Sequence, residues 1–301
     1  MSEQFCKVGE LELCYETFGD AGDPPLLLVM GLGTQMIAWR DDFCAMLAGR
    51  GFHVIRFDNR DIGRSTHLRD VRPPTPVQLV TRDKRTAAYT LDDLADDAAG
   101  LLNGLGIDAA HVVGASMGGM IAQVLAGRHP EKVLTLTSIM STTGHRLKGQ
   151  PALAVYPYFL TKRPTSKHEA VERAVRLFRV VGSPGFDRAE DDLRDLVARS
   201  FDRGRGDDAG TGRQLHAILA SGDRTRALRS ITAPTLVIHG TADKLVRPSG
   251  GRATAKAIPG ARLVEIDGMG HDMPRGVWPR LVDLIAGHAQ QAPAGEQRAA
   301  A

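Results

Sequence analysis

The sequence predicts an α/β fold, a mostly parallel central sheet with helices on both faces and a helical segment inserted after the strand near residues 133–140. Three observations carry that expectation. Six short, almost continuously apolar runs recur along the chain, and helical periodicities fall between most of them. The alternation is interrupted over residues 141–222, where helical patterns follow one another without a convincing strand. Runs that are apolar on both faces suit strands covered from both sides, and strands alternating with helices imply parallel pairing through crossovers.

The first element, Glu10 to Phe18, alternates polar and apolar residues and is expected as an exposed antiparallel edge strand ending at Gly19-Asp20. Residues 26–31, 53–58, 110–115, 133–139, 235–240 and 261–267 are expected as central strands. Helices are expected from Ile37 to Arg50, from Leu91 to Leu105, from Met117 to a stop near His129-Pro130, and from Pro279 to His288, where proline suits a first turn. In the interrupted stretch, Ser166-Lys167-His168-Glu169 reads as a capping box for a helix with Val171, Ala174, Val175, Phe178 and Val181 on one face. Gly182-Ser183-Pro184-Gly185 ends it. Leu193, Leu196, Val197 and Phe201 mark a second helix, and Leu215, Ile218 and Leu219 a third. The expected division is a core of residues 1–140 and 223–289, a helical cap of 141–222, and a small, polar, disordered tail of 290–301.

Composition narrows the function classes. A chain of 301 residues that is 43% hydrophobic can bury the core of one domain with an insertion. Its 38 basic and 35 acidic residues intermingle, so no nucleic-acid footprint stands out. Cys6, Cys14 and Cys44 show no metal-ligand spacing, and an odd number fits structural thiols in a reducing compartment. The first residues lack a charged-then-apolar signal design, and no apolar run approaches the ~20 residues that span a bilayer. The expectation is a soluble, cytoplasmic protein with no membrane partner. Neither His-x-x-x-His nor grouped carboxylates appear, and Gly31-Leu32-Gly33 lacks the Gly-Lys-Ser/Thr of a phosphate loop. No metal and no cofactor are implied.

The chemistry is carried by three separated segments. Gly114-Ala115-Ser116-Met117-Gly118 follows the apolar run His111-Val112-Val113 and precedes a helical pattern, so the chain must turn sharply there and project Ser116. Taken alone, the pentapeptide fits an ordinary glycine-rich turn with a surface serine equally well. A serine hydroxyl is a poor nucleophile at neutral pH and needs a general base, which in turn needs an orienting carboxylate. The strand-like Thr235 to Gly240 releases Asp243 into a loop, and the strand-like Ala261 to Asp267 is followed by Gly268-Met269-Gly270 and His271. The chain order Ser116, Asp243, His271 is that of one triad-bearing fold and differs from the orders in two unrelated protease folds. His239, on a buried strand, reads as a packed, hydrogen-bonded histidine rather than a rival base. Asp58 and Asp61 read as loop-orienting carboxylates partnered by Arg60 or Arg64.

With Gly114–Gly118, His239–Asp243 and Gly268–His271 in register, the chain resembles the α/β-hydrolase superfamily over roughly residues 8–287. Val29-Met30-Gly31 stands where many members have His-Gly, and Asp61 stands where many have glycine. Those two features are similar to the aclacinomycin methylesterase type, which cleaves a methyl ester from an anthracycline polyketide. The resemblance implies a serine esterase acting on a small-molecule ester through an acyl-enzyme, with Ser116 as nucleophile, His271 as base and Asp243 as its orienter. It also implies an oxyanion hole formed by the backbone N–H groups of Leu32 and Met117. Tyr156, Tyr158, Phe159 and Phe178 are candidates for lining a hydrophobic substrate chamber, against the alternative that they are the cap's own core. Lactonase, carbon–carbon bond hydrolase and perhydrolase chemistry use the same triad and stay open, as does a ligand-binding protein with residual hydrolase activity.

Overall fold

A computed structural model describes residues 2–159, 164–187, 189–204 and 209–291. Its eight strands are β1 (Gln4–Val8), β2 (Leu11–Phe18), β3 (Pro25–Val29), β4 (His53–Phe57), β5 (Ala110–Ala115), β6 (Val133–Ile139), β7 (Thr235–Gly240) and β8 (Arg262–Ile266). They form one sheet in the order β1-β2-β4-β3-β5-β6-β7-β8, antiparallel from β1 through β4 and parallel from β4 onward. The helices are α1 (Asp41–Ala48), α2 (Pro76–Thr81), α3 (Leu91–Gly104), α4 (Met117–Arg128), α5 (Tyr156–Phe159), α6 (Lys167–Val181), α7 (Glu190–Arg203), α8 (Ala209–Ser221), α9 (Ser249–Ala257) and α10 (Trp278–Gln290).

Strand pleating explains why the central runs are apolar throughout. In β3, Leu27 and Val29 join the core beneath α3 and α4, while Leu26 and Leu28 join the opposite core beneath α1 and α10. Successive side chains of a strand point to opposite faces, so a strand buried on both sides has no polar position to spare. Both cores are closed by helices, and because strands β3 to β8 pair in parallel, they all end at the same rim of the sheet.

Several sequence expectations need correction. The first strand was expected at the edge, but β2 lies second and the edge belongs to β1, reached through a turn in which Gly9 adopts φ +58°. The alternation in β2 misleads because Glu16 is buried and pairs with buried Arg56 instead of facing water. The run 261–267 is not central; β8 closes the far edge, with Arg262 exposed. The pattern from Ile37 breaks after a short 3-10 turn at Met36–Ala38, and α1 starts only at Asp41, with Asp41 and Asp42 favouring its positive N-terminus. Helix α10 runs from Trp278 to Gln290, past the His288 expected as its end; residues 292–301, most of the expected tail, lie outside the described residues.

Between β6 and β7 the described residues contain α5, α6, α7 and α8 and no strand. Ser166 caps α6 by accepting from the Glu169 N–H, but the Glu169 carboxylate reaches Thr165 N–H at 2.7 Å rather than closing the expected box on Ser166. On α8 the buried face carries polar side chains beside Gly210 and Ala217. Arg213, Gln214 and His216 are buried there, whereas the expected stripe of Leu215, Ile218 and Leu219 is only half-buried.

Candidate active site

Ser116 stands between the end of β5 and the start of α4 at φ +57°, ψ −119°, a conformation L residues rarely adopt. The flanking glycines permit it. A Cβ on Gly114 would lie 2.1 Å from the Gly118 carbonyl oxygen, and one on Gly118 would lie 2.0 Å from the Val29 oxygen. These are main-chain atoms that cannot rotate away, so glycine is required at both positions. The Ser116 N–H donates to Ile139 O at 2.9 Å, which ties the turn to the end of β6.

Asp243 follows β7 and His271 follows β8, so all three side chains rise from the same rim of the sheet. His271 Nε2 lies 3.0 Å from Ser116 Oγ, and His271 Nδ1 lies 2.8 Å from Asp243 Oδ2. The other Asp243 oxygen accepts the Leu245 and Val246 N–H groups, each at 2.9 Å. Burial alone would raise the Asp243 pKa, but the neighbouring His271 and His239 rings outweigh it and hold the carboxyl at about 2. The carboxylate is thus anionic at neutral pH and can keep a proton on the facing imidazole nitrogen. His239 is fully buried, with Nε2 2.7 Å from Val246 O and 3.5 Å from Asp243 Oδ2. Its hydrogen bond goes to a main-chain carbonyl, which leaves the Ser116 hydroxyl to His271.

The Gly31–Gly33 loop passes directly beside the serine. A Cβ on Gly31 would stand 3.2 Å from Ser116 Cβ and 3.3 Å from Ala115 O. Leu32 follows at that approach, and Met117 opens α4 as the first helical residue, whose N–H has no acceptor within the helix. Of the two candidate amides, Met117 lies next to Ser116 at the positive end of α4, and Leu32 follows the Gly31 approach to it.

Partners the sequence did not disclose hold this constellation in place. The His271 N–H donates to Val181 O at 2.7 Å, and the Gly270 N–H donates to Ser183 Oγ at 2.8 Å. The Ser183 hydroxyl in turn donates to Asp272, whose carboxyl is pushed up by burial. Gly185 packs on Gly268 so closely that an added Cβ would come within 2.7 Å of its Cα. Asp58 and Asp61 do serve loop geometry, yet their charged partners are Arg203 at 2.6 Å and Arg213 at 2.7 and 2.6 Å, while Arg60 binds Asp97. The expected hydrogen bond from Arg64 is present, from its backbone N–H to Asp58 at 2.9 Å, but the charged partners are not Arg60 or Arg64, because local spacing cannot anticipate arginines some 150 residues away.

Tyr156 is exposed on α5, and Tyr158 and Phe178 are half-buried on the same insertion; the Phe159 side chain lies outside the described residues. Among the described residues no helix is long and apolar enough to cross a membrane.

A family profile described as alpha/beta hydrolase fold matches residues 24–274. The chain is similar to the rhodomycin D methylesterases DauP of Streptomyces sp. (strain C5) and DnrP of Streptomyces peucetius. Each is 33% identical over 308 residues, covering 94% of this chain and 96% of the relative. Among solved structures it is similar to the enol-lactonase from Burkholderia xenovorans LB400, with a TM-score of 0.75 and 24% identity over 96% of this chain and 100% of that one.

Proposed function

The chain belongs to the α/β-hydrolase fold family, and from that premise we propose that it is a carboxylic ester hydrolase in which Ser116, His271 and Asp243 form the catalytic triad. The observation that carries the proposal is the unbroken line from Ser116 Oγ through His271 to Asp243, 3.0 and 2.8 Å long, on a serine held at φ +57°. His271 Nε2 takes the hydroxyl proton as Oγ attacks the ester carbonyl, and Asp243 fixes the imidazole tautomer and stabilises the imidazolium. The backbone N–H groups of Leu32 and Met117 receive the oxyanion. Collapse of the tetrahedral adduct expels the alcohol, which takes the proton back from His271. Water then repeats the sequence on the acyl-enzyme and releases the acid.

The substrate proposed is a methyl ester carried by a bulky aromatic, polyketide-like acid, supported by the 33% identity to the two methylesterases over nearly the whole chain. The bulk then lies on the acyl side, and methanol is the first product. Residues 141–222 form a cap over Ser116, with Tyr156, Tyr158, Phe159 and Phe178 proposed as its substrate contacts.

The test compares Ser116→Ala with the wild type on short p-nitrophenyl esters and on a polycyclic aromatic methyl ester, with phosphonofluoridate labelling as a second readout. The variant is expected to fold, to lose both activities and to escape labelling. Retained hydrolysis by Ser116→Ala would overturn the mechanism, and reaction with short esters alone would overturn the substrate class. Turnover of lactones in preference to either ester would replace it with a lactonase.

A further inference from the structure

The loop beside Ser116 is anchored by a residue far away in sequence. Gly31, Leu32, Gly33 and Thr34 form a turn in which the Thr34 N–H donates to Gly31 O at 3.3 Å and Gly33 adopts φ +65°. Positive φ at the third position is the mark of a type II turn, whose central peptide is rotated relative to a type I turn. That peptide is held at both ends. The Leu32 carbonyl accepts the Thr34 hydroxyl at 3.1 Å, and the Gly33 N–H donates to Gln214 Oε1 at 2.9 Å.

Gln214 is itself constrained. It is completely buried on α8, and its Nε2 donates to Arg60 O at 2.9 Å, so each end of the carboxamide has one partner that suits it. One turn earlier on α8, the Thr211 side chain fills the space over Gly33, where an added Cβ would come within 2.9 Å of it. The Gly31–Gly33 loop is therefore gripped between Ser116 on one side and α8 on the other.

We propose that Gln214 is a positioning residue that fixes the Gly31–Thr34 turn and, through it, the Leu32 amide as an oxyanion donor. The inference rests on the ester-hydrolase reading above. An oxyanion donor must lie about 2.7–3.1 Å from the developing charge, so loss of one anchor of the turn is enough to weaken it. Because α8 belongs to the insertion, the insertion then acts on catalysis as well as on substrate choice.

The experiment uses Gln214→Met, which keeps length and burial but neither hydrogen bond. Turnover of a p-nitrophenyl ester is measured per active site titrated with a phosphonofluoridate, alongside inhibition by a trifluoromethyl ketone, whose adduct with serine carries an oxyanion. The expected result is a fall in kcat of about 10- to 100-fold, with KM within about 3-fold, and a matching loss of affinity for the ketone. Unchanged kcat per titrated site, or a loss confined to KM, overturns the proposal. Should the methionine variant not fold, Gln214→Glu and Gln214→Asn decide. Glutamate still reaches the Gly33 N–H and asparagine does not, so kcat should be about 10-fold higher for the glutamate variant, and equal values overturn the idea. Ester hydrolysis surviving in Ser116→Ala would instead strike the underlying mechanism, which keeps the two failures apart.

Discussion

Arg213→Met offers a direct measure of what holds the insertion to the core. Arg213 and Asp61 form a two-pronged pair at 2.7 and 2.6 Å, with side chains 1% and 0% exposed. Removing one member of a buried pair commonly costs about 3–5 kcal/mol, because the charge left behind has neither water nor counter-ion. Asp61 would keep the Leu68 N–H and the Tyr89 hydroxyl, both at 2.8 Å, so the lower figure of about 3 kcal/mol is expected at pH 7. For a chain of 301 residues that corresponds to a melting temperature lower by roughly 5 °C. The sign of the pH dependence follows from the carboxyl. In the wild type burial raises the Asp61 pKa, but Arg213, the Leu68 amide and Tyr89 outweigh it and leave it lowered. Its contribution is present above the unfolded pKa and fades as pH falls through the folded value. Without Arg213, burial dominates and the folded pKa rises above the unfolded one. The gap between variant and wild type should then be small near pH 4 and widen towards pH 7. Urea unfolding across that range provides the assay, with Asp61→Asn in the variant background as the control. Asparagine tolerates the φ of +69° found at Asp61 and carries no charge, so the double variant should regain about half the loss. A gap under about 1 kcal/mol at pH 7, or a double variant no more stable than the single one, would refute the reasoning.

Other perturbations follow from the same geometry. Asp243→Asn should fold yet lower kcat by about four orders of magnitude, since the amide no longer enforces the imidazole tautomer, as stopped-flow ester hydrolysis would reveal. The same carboxyl, held at about 2 against an ordinary 3.8, contributes about 2 kcal/mol of stability above pH 4 that disappears as pH falls towards 2. An acid titration of Asp243→Asn, followed by circular dichroism, should lack that limb. Gly118→Ala places a methyl 2.0 Å from the Val29 oxygen, and it is expected to cost at least about 3 kcal/mol by thermal melting; a normal melting temperature would count against the tight-turn account.

Much of the fold was legible because its signals are local. Leu26 to Val29 and Ala110 to Ala115 read as doubly buried strands from composition alone, and the glycines around Ser116 announced a turn that the main-chain contacts require. Where a polar residue is buried, the local signal inverts. Glu16 suggested a solvent-facing strand, yet it meets Arg56, and Arg213 and Gln214 are buried on a helix whose expected stripe of Leu215, Ile218 and Leu219 is only half-buried.

By itself, the sequence determined the α/β alternation and the order of serine, aspartate and histidine, because turn glycines, strand periodicity and loop placement are written within a few residues. Only the tertiary structure decided that the three side chains meet, and which distant partners fix their loops. Val181 and Ser183 hold the histidine loop, and Gln214 holds the turn beside the serine. Hydrogen bonds and ion pairs between segments roughly 90 to 180 residues apart depend on how whole elements dock. Spacing along the chain carries no information about that docking.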